Sequence, residues 1–335
     1  DEEEINGVRV LRFGVEYPAD KDAFDEINSR FFHGQICTAQ DEEEWLDKQG
    51  PYVPALLAYI QQHREDYEKF IFFTYLFYPT VKGIPLVKEK AILIPTAHRE
   101  PFLEMAMYRD VFRQPQCIFY NTREEQYLVE FMFQNQSIPH DVGGIGIEIP
   151  ERPDAEAFKQ KHQLEKYLLY VGRIDEGKGC SRLFRYFKRY KQKYPGNLKL
   201  VLMGKAVISI PEDEDILYLG FVSDKEKFNG MAGAEALVLP SEFESLSIVV
   251  LESMAIGRPV LVNGRCPVLA GHCTRSNAGL YYENYGEFEL EVQYILTHPE
   301  IASKMGMAGI QYVEKNYKWD GIVEKLSRLI EMKGE

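Results

Sequence analysis

The run Tyr167-Leu168-Leu169-Tyr170-Val171, followed by Gly172-Arg173-Ile174-Asp175-Glu176-Gly177-Lys178-Gly179, decides the fold class. Five apolar residues in a row, two of them aromatic, read as a strand buried on both faces. The glycine-punctuated loop after it opens a helical pattern over Gly179–Tyr194, so strand, loop and helix form a βα unit. The same alternation continues downstream. Strands are expected at Leu198–Met203, Ile216–Leu219, Ala236–Pro240 and Pro259–Val262, and helices at Asp224–Ala234, Ser247–Ile256, Tyr285–Thr297, Pro299–Asn316 and Trp319–Lys333. Upstream the strand candidates are Val8–Phe13, Phe70–Thr74, Ala91–Pro95 and Cys117–Asn121. Amphipathic stretches lie at Lys21–Phe32, Asp41–Gln49, Val53–Tyr67, Pro101–Phe112 and Thr122–Gln134, the last with the capping-box pair Thr122 and Glu125. Ser137 to Lys166, with Pro139, the Gly143-Gly144-Ile145-Gly146 cluster, Pro150 and Pro153, reads as a linker. The pattern predicts α/β architecture with two doubly wound parallel-sheet domains in tandem.

Composition agrees. The 335 residues carry 39 Lys+Arg against 52 Asp+Glu, a formal charge of −13, and 45% are hydrophobic, which suits a globular chain of two domains. The acidic balance argues against nucleic acid as a partner. No apolar run reaches the ~20 residues a spanning helix needs, so any membrane association is expected to be peripheral. Cys37, Cys117, Cys180, Cys266 and Cys273 are scattered without CxxC or zinc spacing, which predicts a reduced, cytoplasmic protein with no structural metal.

In open parallel sheets ligands bind beyond the carboxyl ends of strands, so each strand end is a candidate site. The Gly172–Gly179 loop suits an anion: glycines admit close backbone approach, and Arg173 and Lys178 supply charge. It lacks the Walker pattern, and an ordinary loop with solvated charges is the competing reading. A second strand end reads Pro240-Ser241-Glu242-Phe243-Glu244-Ser245-Leu246-Ser247, continuing to Leu251-Glu252-Ser253-Met254-Ala255. With a helix starting near Ser247, Glu244 stands in the loop and Glu252 inside the helix, so both can face one ligand. The amides of Ser245 to Ser247 suit a phosphate, and a carboxylate further along suits ribose hydroxyls. Two glutamates that merely cap or solvate a helix are the alternative.

These motifs in this order, Gly172-Arg173 with Lys178-Gly179 and then the Glu244/Glu252 pair, resemble the retaining glycosyltransferases of family GT4, which have the GT-B fold. Gly220-Phe221-Val222 resembles the family's loop that meets the nucleotide base through its backbone. Gly257-Arg258-Pro259-Val260 resembles its strand entry. The resemblance implies two Rossmann-like domains facing a cleft: residues 1–147 on the acceptor side, 148–316 binding the nucleotide sugar, and a helix in 317–335 crossing back. It implies transfer of a sugar from a nucleotide-diphosphate donor to an acceptor hydroxyl with retention and without a metal or other cofactor. The implied catalytic residues are His98, Arg173, Lys178 and Glu244. The implied donor-binding residues are Gly172, Phe221, Val222, Ser245, Leu246, Ser247 and Glu252.

His98 follows the Ala91–Pro95 strand, the setting in which family members place a histidine toward the donor sugar. The other histidines, His33, His63, His140, His162 and His298, read as surface residues and His272 as a loop residue. Asp213-Glu214-Asp215 resembles a metal-binding triplet but precedes its strand, on the side of the sheet away from ligands. Tyr75 and Tyr78 are candidates either for packing or for stacking on a glycan or lipid-linked acceptor. Competing functions are a GT-B epimerase or phosphorylase, a noncatalytic nucleotide- or glycan-binding protein, and an NAD dehydrogenase, the last disfavoured because the only GxGxxG-like cluster lies in the linker. The chain opens at Asp1 without Met, and the family's first βα unit has no counterpart before Val8–Phe13. The expectation is therefore a first domain with an exposed sheet edge, its missing segment cleaved, omitted or supplied by another chain.

Overall fold

The computed structural model describes residues 1–16, 21–32, 38–149 and 153–332. The chain divides into two compact units, Asp1–Gly143 with Glu324–Glu335, and Gly144–Val323.

The first unit begins with strands β1 (Glu2–Ile5) and β2 (Val8–Leu11). They pair antiparallel, Glu2 opposite Leu11 and Ile5 opposite Val8. The Val8–Phe13 run therefore does not join the parallel sheet. The reason is local: Asn6 and Gly7 both take positive φ, 51° and 79°, the turn that folds one strand back on the next. Helices α1 (Lys21–Phe32), α2 (Ala39–Gln49) and α3 (Pro54–Gln62) follow, then β3 (Phe70–Phe73), α4 (Tyr78–Gly83), β4 (Ala91–Ile94), α5 (Tyr108–Arg113), β5 (Cys117–Tyr120), α6 (Arg123–Phe133) and β6 (His140–Val142). Strands β3-β4-β5-β6 form one parallel sheet in that order. The edge strand β3 exposes Ile71 and Phe73. Trp45, Leu46, Ile84, Leu93, Leu103, Phe112 and Ile118 fill the core.

Three local expectations change here. The Pro101–Phe112 stretch breaks into a 3₁₀ turn, Pro101–Glu104, and α5. Glu42 of α2 captures the amides of Ala106 and Met107, at 2.8 and 2.9 Å, which a continuous helix would have turned inward. β6 lies within what read as linker, and His140 sits in it, bonded to Gln126 at 2.9 Å rather than free on the surface. Thr122 caps α6 by accepting from Glu125 N at 3.1 Å, but the Glu125 carboxylate also reaches beyond its own helix to Ala97 N.

The second unit holds α7 (Ala155–His162), β7 (Lys166–Val171), α8 (Cys180–Lys193), β8 (Leu198–Met203), β9 (Ile216–Tyr218), α9 (Asp224–Gly233), β10 (Ala236–Leu239), α10 (Ile248–Ala255), β11 (Val260–Asn263), α11 (Pro267–Ser276), β12 (Gly279–Tyr282), α12 (Tyr285–Thr297), α13 (Pro299–Asn316) and α14 (Trp319–Glu331), the unit boundary falling within α14. Its six strands run parallel in the order β12-β11-β10-β7-β8-β9. The chain builds outward from β7 in one direction and from β10 in the other, so the strand order reverses between them. α11 and β12 occupy a segment that carried no strand or helix expectation, and His272 is a fully buried helical residue, not a loop residue. His162 is also more enclosed than expected, paired with Glu226 at 2.7 Å.

Cys117, Cys180, Cys266 and Cys273 are buried free thiols. Cys37, His33 and Pro150 lie outside the described residues, as does Lys333 at the end of the expected last helix. Among the described residues no helix is long and apolar enough to cross a membrane.

Candidate functional site

The reversal between β7 and β10 brings two loops together. After β7 the backbone turns at Gly172, φ 149°, and the loop is shaped by Asp175, whose carboxylate accepts from Lys178 N at 2.7 Å and from Arg173 Nε. The loop ends at Gly179, φ 75°, where a Cβ would lie 2.7 Å from the Pro240 carbonyl. Only glycine permits both that left-handed turn and that approach. Pro240, just past β10, has its carbonyl held again by Arg182 Nη2 of α8 at 2.9 Å and Asn263 Nδ2 of β11 at 3.1 Å. One carbonyl thus ties together β10, β11 and the start of α8.

Between the loops lies a cavity of about 280 Å³ whose walls include Gly172, Lys178, Lys227, Glu244, Ser247 and Glu252. Lys178 Nζ donates to Glu244 Oε1 at 2.7 Å, and Lys227 Nζ to Glu252 Oε1 at 2.8 Å. Two lysines and two carboxylates therefore face the same space in adjacent ion pairs. Burial pushes the Glu252 carboxyl above its ordinary range, against the opposing pull of the Lys227 ammonium. At the N-terminus of α10, Ser247 takes a left-handed conformation, φ 64° and ψ 74°. Its hydroxyl is buried without a hydrogen-bond partner in the protein. A helix N-terminus, two ion-paired ammoniums and an unsatisfied hydroxyl in one cavity suit an anionic, oxygen-rich ligand. A second, larger cavity of about 960 Å³ shares Lys227 and Glu252 and extends past Asp224 and Asn229 of α9.

Of the residues singled out from sequence, Gly172, Lys178, Glu244, Ser247 and Glu252 are brought together in the smaller cavity. Arg173 is not on its wall; its side chain is 66% exposed and pairs with Asp175. Phe221 is 89% exposed, and Val222 packs against the second unit's core. Leu246 is buried with its carbonyl turned toward His272 Nε2, 2.8 Å away, and Ser245 lies in the same loop.

His98 belongs to the first unit, after β4, with Nδ1 3.8 Å from Glu100 Oε1. Its neighbour Ala97 donates its amide to Glu125, which also accepts from Asn121 N at 2.5 Å. Tyr75 is 1% exposed and donates to Glu100 at 2.5 Å, and Tyr78 is buried too, so neither ring is open for stacking on an acceptor. Asp215 of the acidic triplet is paired with Lys199 at 2.8 Å and Lys191 at 3.3 Å. Among the described residues no three His, Cys, Asp or Glu side chains are grouped to hold a metal.

Sequence reasoning missed Lys227. The available signal was a lysine in the first turn of a helix that begins right after the Gly220-Phe221-Val222 strand end, a position aimed at the same rim as Glu252.

Residues 152–312, the segment that contains the whole lining of the smaller cavity, match the family model for glycosyl transferases group 1. A segment of 108 residues is 33% identical to an uncharacterized glycosyltransferase of Methanocaldococcus jannaschii, covering 30% of this chain and 27% of that protein. Another of 100 residues is 37% identical to the N-acetylgalactosamine-N,N'-diacetylbacillosaminyl-diphospho-undecaprenol 4-alpha-N-acetylgalactosaminyltransferase of Campylobacter jejuni, covering 27% of this chain and 26% of that protein. The matched segments thus span about a quarter of these relatives. In three dimensions the chain resembles sucrose-phosphate synthase from Thermosynechococcus elongatus, with a TM-score of 0.70 at 17% identity over 98% of this chain and 84% of that one. It also resembles HepE from Anabaena in complex with UDP, with a TM-score of 0.69 at 13% identity over 82% of this chain and 81% of that one. The fold is GT-B, and the segment that matches the glycosyl transferases group 1 model lies within the second unit.

Proposed function

We propose that the protein is a retaining, metal-independent glycosyltransferase of the GT4 type, and that the cavity between the ends of β7 and β10 holds the diphosphate and ribose of a nucleotide-sugar donor. The observation that carries the reading is the convergence of Lys178, Glu244, Ser247 and Glu252 on one cavity in the segment that matches the family model. In the reaction the bond from the anomeric carbon to the β-phosphate oxygen breaks, and its electron pair leaves with the diphosphate. The acceptor oxygen forms the new bond, and its proton passes to the departing diphosphate oxygen. Negative charge grows on the β-phosphate, and this is the charge the site must stabilise.

Lys178 supplies most of that stabilisation by exchanging Glu244 for phosphate, joined by the α10 N-terminus at Ser245–Ser247 and by Arg173, whose exposed side chain is free to swing from Asp175. Glu244, relieved of Lys178, orients the hydroxyls of the donor sugar. Glu252 accepts from the ribose, and Phe221 and Val222 meet the base through their backbone. In the first unit, His98 is the proposed catalytic histidine. The acceptor is a hydroxyl of a glycan, lipid or small molecule.

Thermal-shift screening against UDP-, GDP- and ADP-sugars tests the donor, since a ligand that binds only the native state raises its melting temperature. One donor class is expected to stabilise the protein and to be turned over with EDTA present. Stabilisation by none, or activity abolished by EDTA and restored by Mg²⁺ or Mn²⁺, contradicts the proposal.

A further inference from the structure

His272 was not expected to touch the site, yet it is fully buried on α11 and hydrogen-bonded through both ring nitrogens. Nε2 lies 2.8 Å from the Leu246 carbonyl and Nδ1 3.1 Å from the Tyr312 hydroxyl of α13. A carbonyl can only accept, so Nε2 carries the hydrogen, and in the neutral ring Nδ1 accepts from Tyr312. Arg275 Nε, 3.3 Å from the same hydroxyl, donates to it and leaves its proton for His272. The chain of donors runs Arg275, Tyr312, His272, Leu246.

Leu246 C=O and Ser247 N–H belong to one peptide unit. That unit is planar and trans, so its carbonyl and amide point in opposite directions. Holding the carbonyl inward against His272 aims the Ser247 amide outward, on the side where Ser247 lines the cavity. The left-handed φ of Ser247 is a conformation serine adopts at a cost, and it needs such an external tie to persist. The unpartnered, buried Ser247 hydroxyl is an independent sign that this residue awaits a ligand.

We infer that His272 is a positioning residue: with Tyr312 and Arg275 it locks the Leu246–Ser247 peptide so that the Ser247 amide faces the diphosphate of the donor. The identity of the ligand rests on the proposed function; the orientation of the peptide does not.

Two measurements on the full chain test it. In the ligand-free protein, amide hydrogen exchange at Ser247 should quicken about tenfold or more in His272→Ala, because the peptide is released locally. By ligand-observed NMR titration, UDP, GDP or ADP, whichever the wild type binds, should bind about tenfold more weakly, while the corresponding uridine, guanosine or adenosine binds as before. His272→Gln, whose amide still donates to Leu246, should recover the diphosphate affinity to within about threefold. Should the alanine variant fail to fold, His272→Met fills the ring's space without a donor and replaces it. Unchanged exchange at Ser247, or equal losses for nucleoside and diphosphate, overturns the inference. Binding of none of the three diphosphates by the wild type sinks the donor reading alone, and the exchange measurement then decides the role of His272.

Discussion

At the scale of single residues, the site is a set of carboxylates and ammoniums holding one another in two adjacent ion pairs. On the proposed function, Lys178→Ala removes the cation assigned to the growing phosphate charge and should lower kcat about 100-fold with a smaller change in donor affinity. Steady-state kinetics check it, and unchanged turnover takes that role from Lys178. Glu125 offers a test that involves no ligand. Wholly buried, its carboxyl is pushed from 4.5 up to about 8, desolvation outweighing the backbone amides of Asn121 and Ala97 that favour the charged form. The native state then binds more protons than the unfolded state between those values, so stability falls as pH rises through that window. Urea unfolding at pH 5 and pH 8 should show the decline in the wild type and a flatter profile in Glu125→Gln. Some of these residues were legible in the sequence and some were not. Lys178, Glu244 and Glu252 announced themselves through spacing at strand ends. Lys227 and His272 did not, because their roles come from helices α9 and α11 that reach the site only once the sheet has formed.

Among the elements, the two loops at the strand-order reversal must touch, and Gly179 is where they do. Gly179→Ala forces a side chain into a left-handed conformation 2.7 Å from the Pro240 carbonyl, and should destabilise the protein by about 2 kcal/mol and loosen the site. Differential scanning calorimetry reads that loss, and a melting temperature equal to the wild type's would show that the loops tolerate separation. The central strands β4, β5, β7, β8 and β10 were readable because burial on both faces makes them continuous apolar runs. β2 was readable as a strand but not in its pairing, since the Asn6-Gly7 turn that sends it back onto β1 was overlooked. β12 was missed because Gly279–Tyr282 is short and begins with glycine. The broken helix at Pro101–Arg113 could not have been foreseen, because its cause is Glu42, far away in sequence.

For the whole molecule, the second unit carries the matched segment, the six-stranded sheet and the two cavities, while the first carries His98 and a four-stranded sheet whose edge strand β3 shows Ile71 and Phe73 to solvent. On the proposed function, the cavity at the β7–β10 reversal binds the diphosphate and ribose of a donor. Titration calorimetry of wild type, Lys178→Ala and Glu252→Ala with UDP, GDP and ADP tests it most directly. The wild type should bind one of the three, and Glu252→Ala should bind it about tenfold more weakly, the loss of a charge-assisted hydrogen bond to ribose. A wild type that binds none, or one whose affinity survives both substitutions unchanged, would contradict the claim.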